Sequence, residues 1–215
     1  NLKDVAIKTN AELSVLLGIP QSTAITCIKP SGTVSQLCNT ASGIHGRHSS
    51  FYIRRVRGDK KDPLTNFLKE SGIPTEDCVM KPDSTAVFSF PIKSPESAIM
   101  REDLTAVQHL ELWLMYQEEW CEHKPSVTIS VKEHEWVEVG AWVWKNFSKI
   151  SGISFLPWDG GTYKQAPYEE CTEEQYEELL AKMPTELNWD SLVEEDDNVK
   201  GVQELACSSG SCEIL

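Results

Sequence analysis

Two cysteines, Cys207 and Cys212, have the spacing of a redox-active dithiol. Four small residues separate them and one of these is a glycine, so the chain can turn and bring the two sulfur atoms together. The pair follows an acidic segment, and Cys207 comes 18 positions after Trp189. A flexible chain of that length has an r.m.s. reach of roughly 20–25 Å. A tethered dithiol of this kind can exchange with a disulfide in a buried site and then swing out to be reduced again.

Zinc binding is the competing interpretation of the pair. A structural zinc site needs four Cys or His ligands, and no further Cys or His lies close to these two in the sequence. The other cysteines are interpreted as core or surface thiols; they are Cys27, Cys38, Cys78, Cys121 and Cys171. Seven cysteines at dispersed positions are typical of a reducing compartment, so a cytoplasmic location is expected.

A second segment that could bind a ligand lies near the start of the chain: Pro30, Ser31, Gly32, Thr33 and Val34. It follows an apolar stretch that predicts a strand, and it precedes a predicted helix. Pro30 has no N–H group, and the next four amides would form an unsatisfied first helical turn, which favours an anion such as phosphate. Gly32 would let a phosphate approach the backbone closely. Most segments of this type are only helix caps, and the residues alone leave that interpretation open.

The charge distribution limits the possible partners. The net charge is −13, and residues 169–198 carry twelve acidic residues and one lysine, so the rest of the chain is close to neutral. This balance argues against binding to nucleic acid or to an anionic membrane surface, and no apolar run is long enough to span a bilayer. Residues 47–61 are basic and are interpreted as a solvated loop and strand edge, with an anionic ligand as the alternative.

Strand-like and helix-like stretches alternate, which predicts an α/β fold. Apolar and β-branched runs predict strands at residues 24–28, 51–56, 85–92, 126–131 and 153–156. Helical periodicity or helix-capping residues predict helices at residues 104–122, 136–150 and 172–183. Residues 1–189 are therefore expected to form the folded part, and residues 190–215 a flexible tail that carries the cysteine pair.

Taken together, these motifs resemble the C-terminal part of a ribonucleotide reductase catalytic subunit. The resemblance rests on residues 30–34, on residues 125–129 (PSVTI) and on the pair Cys207 and Cys212. Residues 152–157 (GISFLP), followed by DGGTY at 159–163 and APY at 166–168, narrow it to the adenosylcobalamin-dependent, class II branch. Iron-dependent members carry two adjacent tyrosines on this late strand, whereas this chain has Phe155 and Leu156, which cannot relay a radical as tyrosines do.

The resemblance implies an enzyme that reduces ribonucleotides to deoxyribonucleotides with adenosylcobalamin as its radical source. It further implies that residues 1–189 are the closing section of an α/β barrel, in which residues 30–34 bind the substrate phosphates. Cys207 and Cys212 would reduce the disulfide that forms in the active site, and a thioredoxin- or glutaredoxin-like protein would reduce them in turn.

The chain also departs from the family pattern. The catalytic loop of the family has Asn, the radical Cys and Glu at alternate positions, and no such motif occurs here. The radical and substrate-reducing residues are therefore expected in a missing N-terminal part of the same enzyme, without which this chain should not turn over. Two alternatives stay open: a fragment of the large subunit of an iron-dependent class I reductase, and a non-catalytic phosphate-binding or redox-adaptor module.

Overall fold

The computed structural model describes residues 1–158 and 164–193. Cys207, Cys212 and the DGGTY motif at 159–163 lie outside the described residues. The helices run as follows: α1 Leu2–Leu17, α2 Val34–Leu37, α3 Pro63–Glu70, α4 Ala106–Glu119, α5 Trp136–Asn146 and α6 Glu173–Leu180. The strands are β1 Phe51–Asp59, β2 Thr75–Asp77, β3 Thr85–Lys93, β4 Thr128–Val131, β5 Ser154–Pro157 and β6 Tyr168–Glu170. Within these ranges, no helix is both long and apolar enough to cross a membrane.

Four strands form an antiparallel sheet in the order β2-β3-β1-β6. The central strand β1 pairs with β3 along its whole length and with β6 through its first residues. In this register Arg54 lies between Phe90 of β3 and Tyr168 of β6. Because Tyr52 and Arg54 alternate with more exposed neighbours, both point to the same buried face of the sheet.

The parallel strands β4 and β5 form a second, two-stranded sheet that packs against α4 and α5. Along β4, Ile129 and Val131 are buried in the core, whereas Thr128 and Ser130 are half-buried and point to the opposite face. Helix α4 begins at a capping box in which Thr105 and Gln108 each bond the other's backbone N–H group. The core between these elements contains Leu110 and Trp113, both fully buried.

The mixed α/β class predicted from the sequence is confirmed, and the barrel stays a prediction. The predicted strands at 51–56, 85–92, 126–131 and 153–156 correspond to β1, β3, β4 and β5. Residues 24–28 are not a strand. The Ile25 N–H group donates to Glu122 Oε2 at 3.0 Å and Thr26 O accepts from Glu122 N at 2.9 Å, so the turn after α4, and not a neighbouring strand, satisfies this backbone. Helices α1 and α3 were not predicted.

Candidate functional site

The 30–34 loop is held in place by a second loop. The Ser31 N–H group donates to Ser42 Oγ at 2.9 Å, and Ser42 Oγ donates to Ser31 O at 3.0 Å. Ser31 Oγ accepts from the N–H group of Ser35 at 3.0 Å. Three of the four amides predicted to face an anion, those of Gly32, Thr33 and Val34, donate to no described residue, whereas the Ser31 amide is occupied by Ser42.

The helix that follows the loop is shorter than expected. Helix α2 has only four residues, so its dipole contributes little and the free amides themselves are the feature that suits an anion. Within it, Ser35 is 5% exposed, and its hydroxyl group has no hydrogen-bond partner among the described residues. A buried hydroxyl without a partner is unusual in a folded chain, because burial without a hydrogen bond is unfavourable.

Two arginines of the basic segment are buried instead of lying in solvent. Arg54 is 7% exposed; its NH2 group donates to Gly32 O at 3.4 Å, and its guanidinium lies 4.7 Å from the centre of the Tyr168 ring. Arg47 is 3% exposed and donates to Ser94, Thr40 and Asn39. The interpretation of residues 47–61 as a solvated edge is therefore wrong for these two residues, and Arg54 brings positive charge close to the 30–34 loop.

An aromatic layer connects Arg54 to His48. The His48 ring packs against those of Tyr52 and Tyr168, whose centroids are 5.7 and 5.5 Å away, and the two tyrosine centroids are 5.8 Å apart. Burial, together with the nearby Arg101 charge, lowers the pKa of His48 to about 3, so the ring is neutral at physiological pH. Burial raises the pKa of Tyr52 to about 12, and its hydroxyl donates to Gln36 Oε1 of α2 at 2.6 Å.

His48 also lines a narrow cleft of about 50 Å³ between the loop after α2, the start of α4 and strand β4. Its walls include His45, His48, Arg101, Thr128, Ser130 and Trp158. The Trp158 ring has the Arg101 guanidinium 4.8 Å and the Lys132 ammonium 5.2 Å from its centre. The lining of the cleft therefore combines hydroxyl groups and histidine rings with the charge of Arg101, which suits a small polar or anionic group.

The cysteines in the described ranges form no disulfide with one another. The free thiols are those of Cys27, Cys38, Cys78, Cys121 and Cys171. Cys78 and Cys121 are buried and Cys27 and Cys38 are exposed, as expected for core and surface thiols. Burial raises the pKa of the Cys121 and Cys171 thiols, which disfavours the reactive thiolate.

The sequence did not assign Arg54, His48 or Tyr168 to the site. His45, Arg47 and His48 follow the 30–34 loop closely in the sequence, but no motif there indicates a site. Tyr168 is a buried residue of β6. A usable signal was present in β1, where three arginines occur among apolar residues, because an arginine at an inward position of a strand must find partners within the fold.

Comparison with solved structures identifies the class of protein that this arrangement resembles. The chain matches the crystal structure of a B12-dependent (class II) ribonucleotide reductase with a TM-score of 0.73 and 27% sequence identity, over 86% of this chain and 26% of that one. A search of protein-family models found no match. Since both fold and sequence agree, the resemblance to class II reductases inferred from the motifs is confirmed.

Curated relatives narrow the resemblance to adenosylcobalamin-dependent ribonucleoside-triphosphate reductases. The protein of that name from Euglena gracilis is 32% identical over 97% of this chain, and the one from Lactobacillus leichmannii is 27% identical over 99%. A protein described as a probable member from Dictyostelium discoideum is 31% identical over 93%. The chain spans 29%, 30% and 26% of these relatives, respectively, consistent with a section of a longer reductase.

Proposed function

We propose that this chain is part of an adenosylcobalamin-dependent ribonucleotide reductase, in which it binds the substrate phosphates and returns electrons to the active site. The observation that carries the proposal is the similarity to class II reductases, in sequence and in fold, over nearly the whole chain. The relatives are named triphosphate reductases, which favours ribonucleoside triphosphates as the substrate class. The free thiols favour a reducing, cytoplasmic location.

The 30–34 loop supplies the phosphate contacts in this proposal. The amides of Gly32, Thr33 and Val34 donate to no described residue, and the buried Arg54 guanidinium contacts the carbonyl of Gly32 on the protein side of the loop. Backbone N–H groups bind phosphate well when a nearby positive charge offsets the charge of the ligand. The Ser35 hydroxyl, buried and without a described partner, is a further donor at the start of α2.

Cys207 and Cys212 deliver electrons in this proposal. Two successive thiol–disulfide exchanges convert the active-site disulfide to two thiols and the tail pair to a disulfide. A thioredoxin- or glutaredoxin-like dithiol then reduces the tail pair by the same exchange and becomes oxidised itself. The active-site cysteines belong to the part of the enzyme that this chain does not contain.

The described residues do not by themselves fit adenosylcobalamin. Cavities among them have volumes of about 360, 320 and 50 Å³. Pockets of roughly 300–1,000 Å³ hold drug-sized ligands, and a corrinoid is considerably larger. Bound cobalamin would supply the radical that starts the reaction, and we assign no described residue to it.

The electron-transfer role is tested in the polypeptide that joins this chain to the remainder of the reductase. Formation of deoxyribonucleotide is measured with adenosylcobalamin and thioredoxin for the wild type and for Cys207→Ser/Cys212→Ser. We expect the double variant to stop after about one turnover and to recover with dithiothreitol, which reduces the active site directly. Cys27→Ser/Cys38→Ser, which removes two exposed thiols, is the matched control and should turn over normally.

Two outcomes would contradict parts of the proposal. Unchanged thioredoxin-driven turnover in Cys207→Ser/Cys212→Ser would refute the electron-transfer role. Activity that requires a separate iron-containing subunit and not cobalamin would instead favour the class I alternative.

The phosphate role is tested separately with Gly32→Ala, whose added methyl group would keep a phosphate away from the backbone. We expect KM for the ribonucleotide to rise about tenfold or more. Gly140→Ala is the control, because an added Cβ there meets no atom within 4 Å. An unchanged KM in Gly32→Ala would remove the loop from the substrate site.

A further inference from the structure

A chain of hydrogen bonds runs from the 30–34 loop to strand β4. It begins with the two bonds between Ser31 and the Ser42 hydroxyl, at 2.9 and 3.0 Å. The carbonyl of Ser42 lies 2.8 Å from His45 Nδ1, and His45 Nε2 lies 3.1 Å from the N–H group of Thr128. We call this series, from Ser31 through Ser42 and His45 to Thr128, the relay.

The relay requires a single form of the His45 ring. The Ser42 carbonyl can only accept a hydrogen bond, so Nδ1 must carry a proton and donate it. The Thr128 N–H group can only donate, so Nε2 must be unprotonated. Burial lowers the pKa of His45, which keeps the ring neutral and so agrees with this assignment.

The two ends of the relay belong to opposite sides of the candidate site. Ser31 lies in the loop with the free amides, and Thr128 lines the cleft that also contains His48 and Trp158. In the described chain, Ser126 bonds Ile28 O and the Lys29 ammonium, which joins the segments before the loop and before β4, and the relay joins the loop itself to β4. The turn that carries Ser42 and His45 is held closely against the chain, because a Cβ added at Gly43, where φ is 61°, would lie 3.3 Å from Lys29 O.

We propose that Ser42 and His45 are positioning residues that hold the 30–34 loop at a defined distance from the β4 wall of the site. They do not touch the substrate in this proposal; they determine where the loop amides lie relative to Thr128 and Ser130. The inference rests on the proposed function for its kinetic consequence, whereas the hydrogen-bonded form of His45 can be tested without it.

The kinetic test uses the full reductase polypeptide. Ser42→Ala removes both bonds to Ser31, and Ser42→Thr keeps the hydroxyl group. We expect KM for the ribonucleoside triphosphate to rise about three- to tenfold in Ser42→Ala, the range for one or two hydrogen bonds, with kcat changed less than about twofold. Ser42→Thr should restore most of the affinity. A merely structural role would lower the active fraction, and hence the apparent kcat, and leave KM unchanged.

A double-mutant cycle tests whether the two residues act together. His45→Asn keeps a donor close to the Ser42 carbonyl but is too short to accept from Thr128. If Ser42 and His45 act through the same series of bonds, the increase in KM in the double variant Ser42→Ala/His45→Asn will be much smaller than the product of the two single increases. Ser49→Ala is the matched control, since Ser49 is 5% exposed and its hydroxyl bonds only the nearby carbonyl of Phe51 in the described chain. Its combination with His45→Asn should be multiplicative.

The independent measurement is the tautomer of His45, read from the ¹⁵N shifts of its ring near pH 7. We expect a protonated Nδ1 and an unprotonated Nε2, and we expect the Thr128 amide resonance to shift in His45→Asn. A ring protonated at Nε2 would overturn the relay even if the enzyme is an active reductase. If the enzyme shows no reductase activity but the tautomer is as expected, the proposed function fails and the relay stands as a structural connection.

Discussion

Acidification from pH 7.5 to pH 5 should destabilise the fold through two buried histidines. The His48 ring packs against Tyr52 and Tyr168 and lies close to the Arg101 charge. His109 donates from Nε2 to Ile44 O at 2.9 Å, and its ring meets that of His45 edge-on at 5.5 Å. Burial is the main cause that lowers the pKa of His48 to about 3 and that of His109 to about 4.

The size of this destabilisation follows from the difference in proton binding between the folded and the unfolded chain. In the unfolded chain a histidine has a pKa of about 6.5, so at pH 5 it is almost fully protonated. In the folded chain both rings are still largely neutral at pH 5, because their pKa values lie below that pH. Between pH 7.5 and pH 5, the free energy of unfolding therefore falls by about 2 kcal/mol per histidine, because protonation stabilises only the unfolded state. The contribution of the two neutral rings to stability is fully present above pH 6.5, and it is lost as the pH falls towards 4 and then 3.

Urea unfolding at pH 7.5, 6 and 5, followed by circular dichroism, measures this loss. His48→Phe keeps an aromatic ring against the tyrosines but binds no proton, so its stability should fall by about 2 kcal/mol less than that of the wild type over this range. His123→Asn, a substitution at an exposed histidine, is the matched control. An identical pH dependence in the wild type and in His48→Phe would refute the assignment of a neutral, buried His48.

Three further substitutions test other parts of the fold. Gly46→Ala should destabilise the chain by about 1–3 kcal/mol in urea unfolding, because the new Cβ would lie 2.8 Å from the backbone nitrogen of Arg101. Gln165→Ala should cost about 1–3 kcal/mol in the same assay, because the Gln165 side chain bonds Asp77 O and Val79 N, both at 2.8 Å. Trp144→Lys should shift the isolated chain towards monomer in analytical ultracentrifugation, because Trp144 is 86% exposed and apolar surface of that kind promotes association.

Each of these expectations has a result that contradicts it. A Gly46→Ala variant as stable as the wild type would mean that the loop and residue 101 can move apart without penalty. A Gln165→Ala variant as stable as the wild type would mean that the two side-chain bonds contribute nothing measurable. A wild-type chain that is already a monodisperse monomer would show that the exposed apolar surface does not drive association.

Local signals predicted most of the regular structure. Strand β3 and helix α4 were recognised because apolar and β-branched content and periodicity decide their structure locally. Helix α1 was missed because its apolar residues are not confined to one face; Val5, Leu13 and Leu17 are all at least 47% exposed. Residues 24–28 were assigned wrongly because an extended run needs a partner strand, and its partner is instead a turn that lies nearly a hundred residues away in the sequence.

The candidate site was only partly predictable. The 30–34 loop has a local motif, and its free amides follow from its own sequence. The Arg54 guanidinium beneath it depends on the register between β1 and β6, which pairs Arg54 with Tyr168 across more than a hundred residues. The relay depends in the same way on the packing of the Ser42–His45 turn against β4. The partners in such interactions cannot be identified from a single sequence, because tertiary contacts and not local propensity bring them together.

The packing of the chain also explains why it should need the rest of a reductase. Parallel strands are normally covered on both faces, yet α4 and α5 cover only one face of β4 and β5, and Thr128, Ser130 and Ser154 are left on the other. Helix α5 buries Trp142 inside, while Val137 and Trp144 are each 86% exposed outside, and a helix that is apolar all round is usually enclosed. Both surfaces are therefore suited to packing against another part of a longer polypeptide, and the relatives are more than three times as long as this chain. In the function proposed above, the chain supplies one wall of the active site, with residues 30–34 and the relay, and the other walls come from the rest of the reductase.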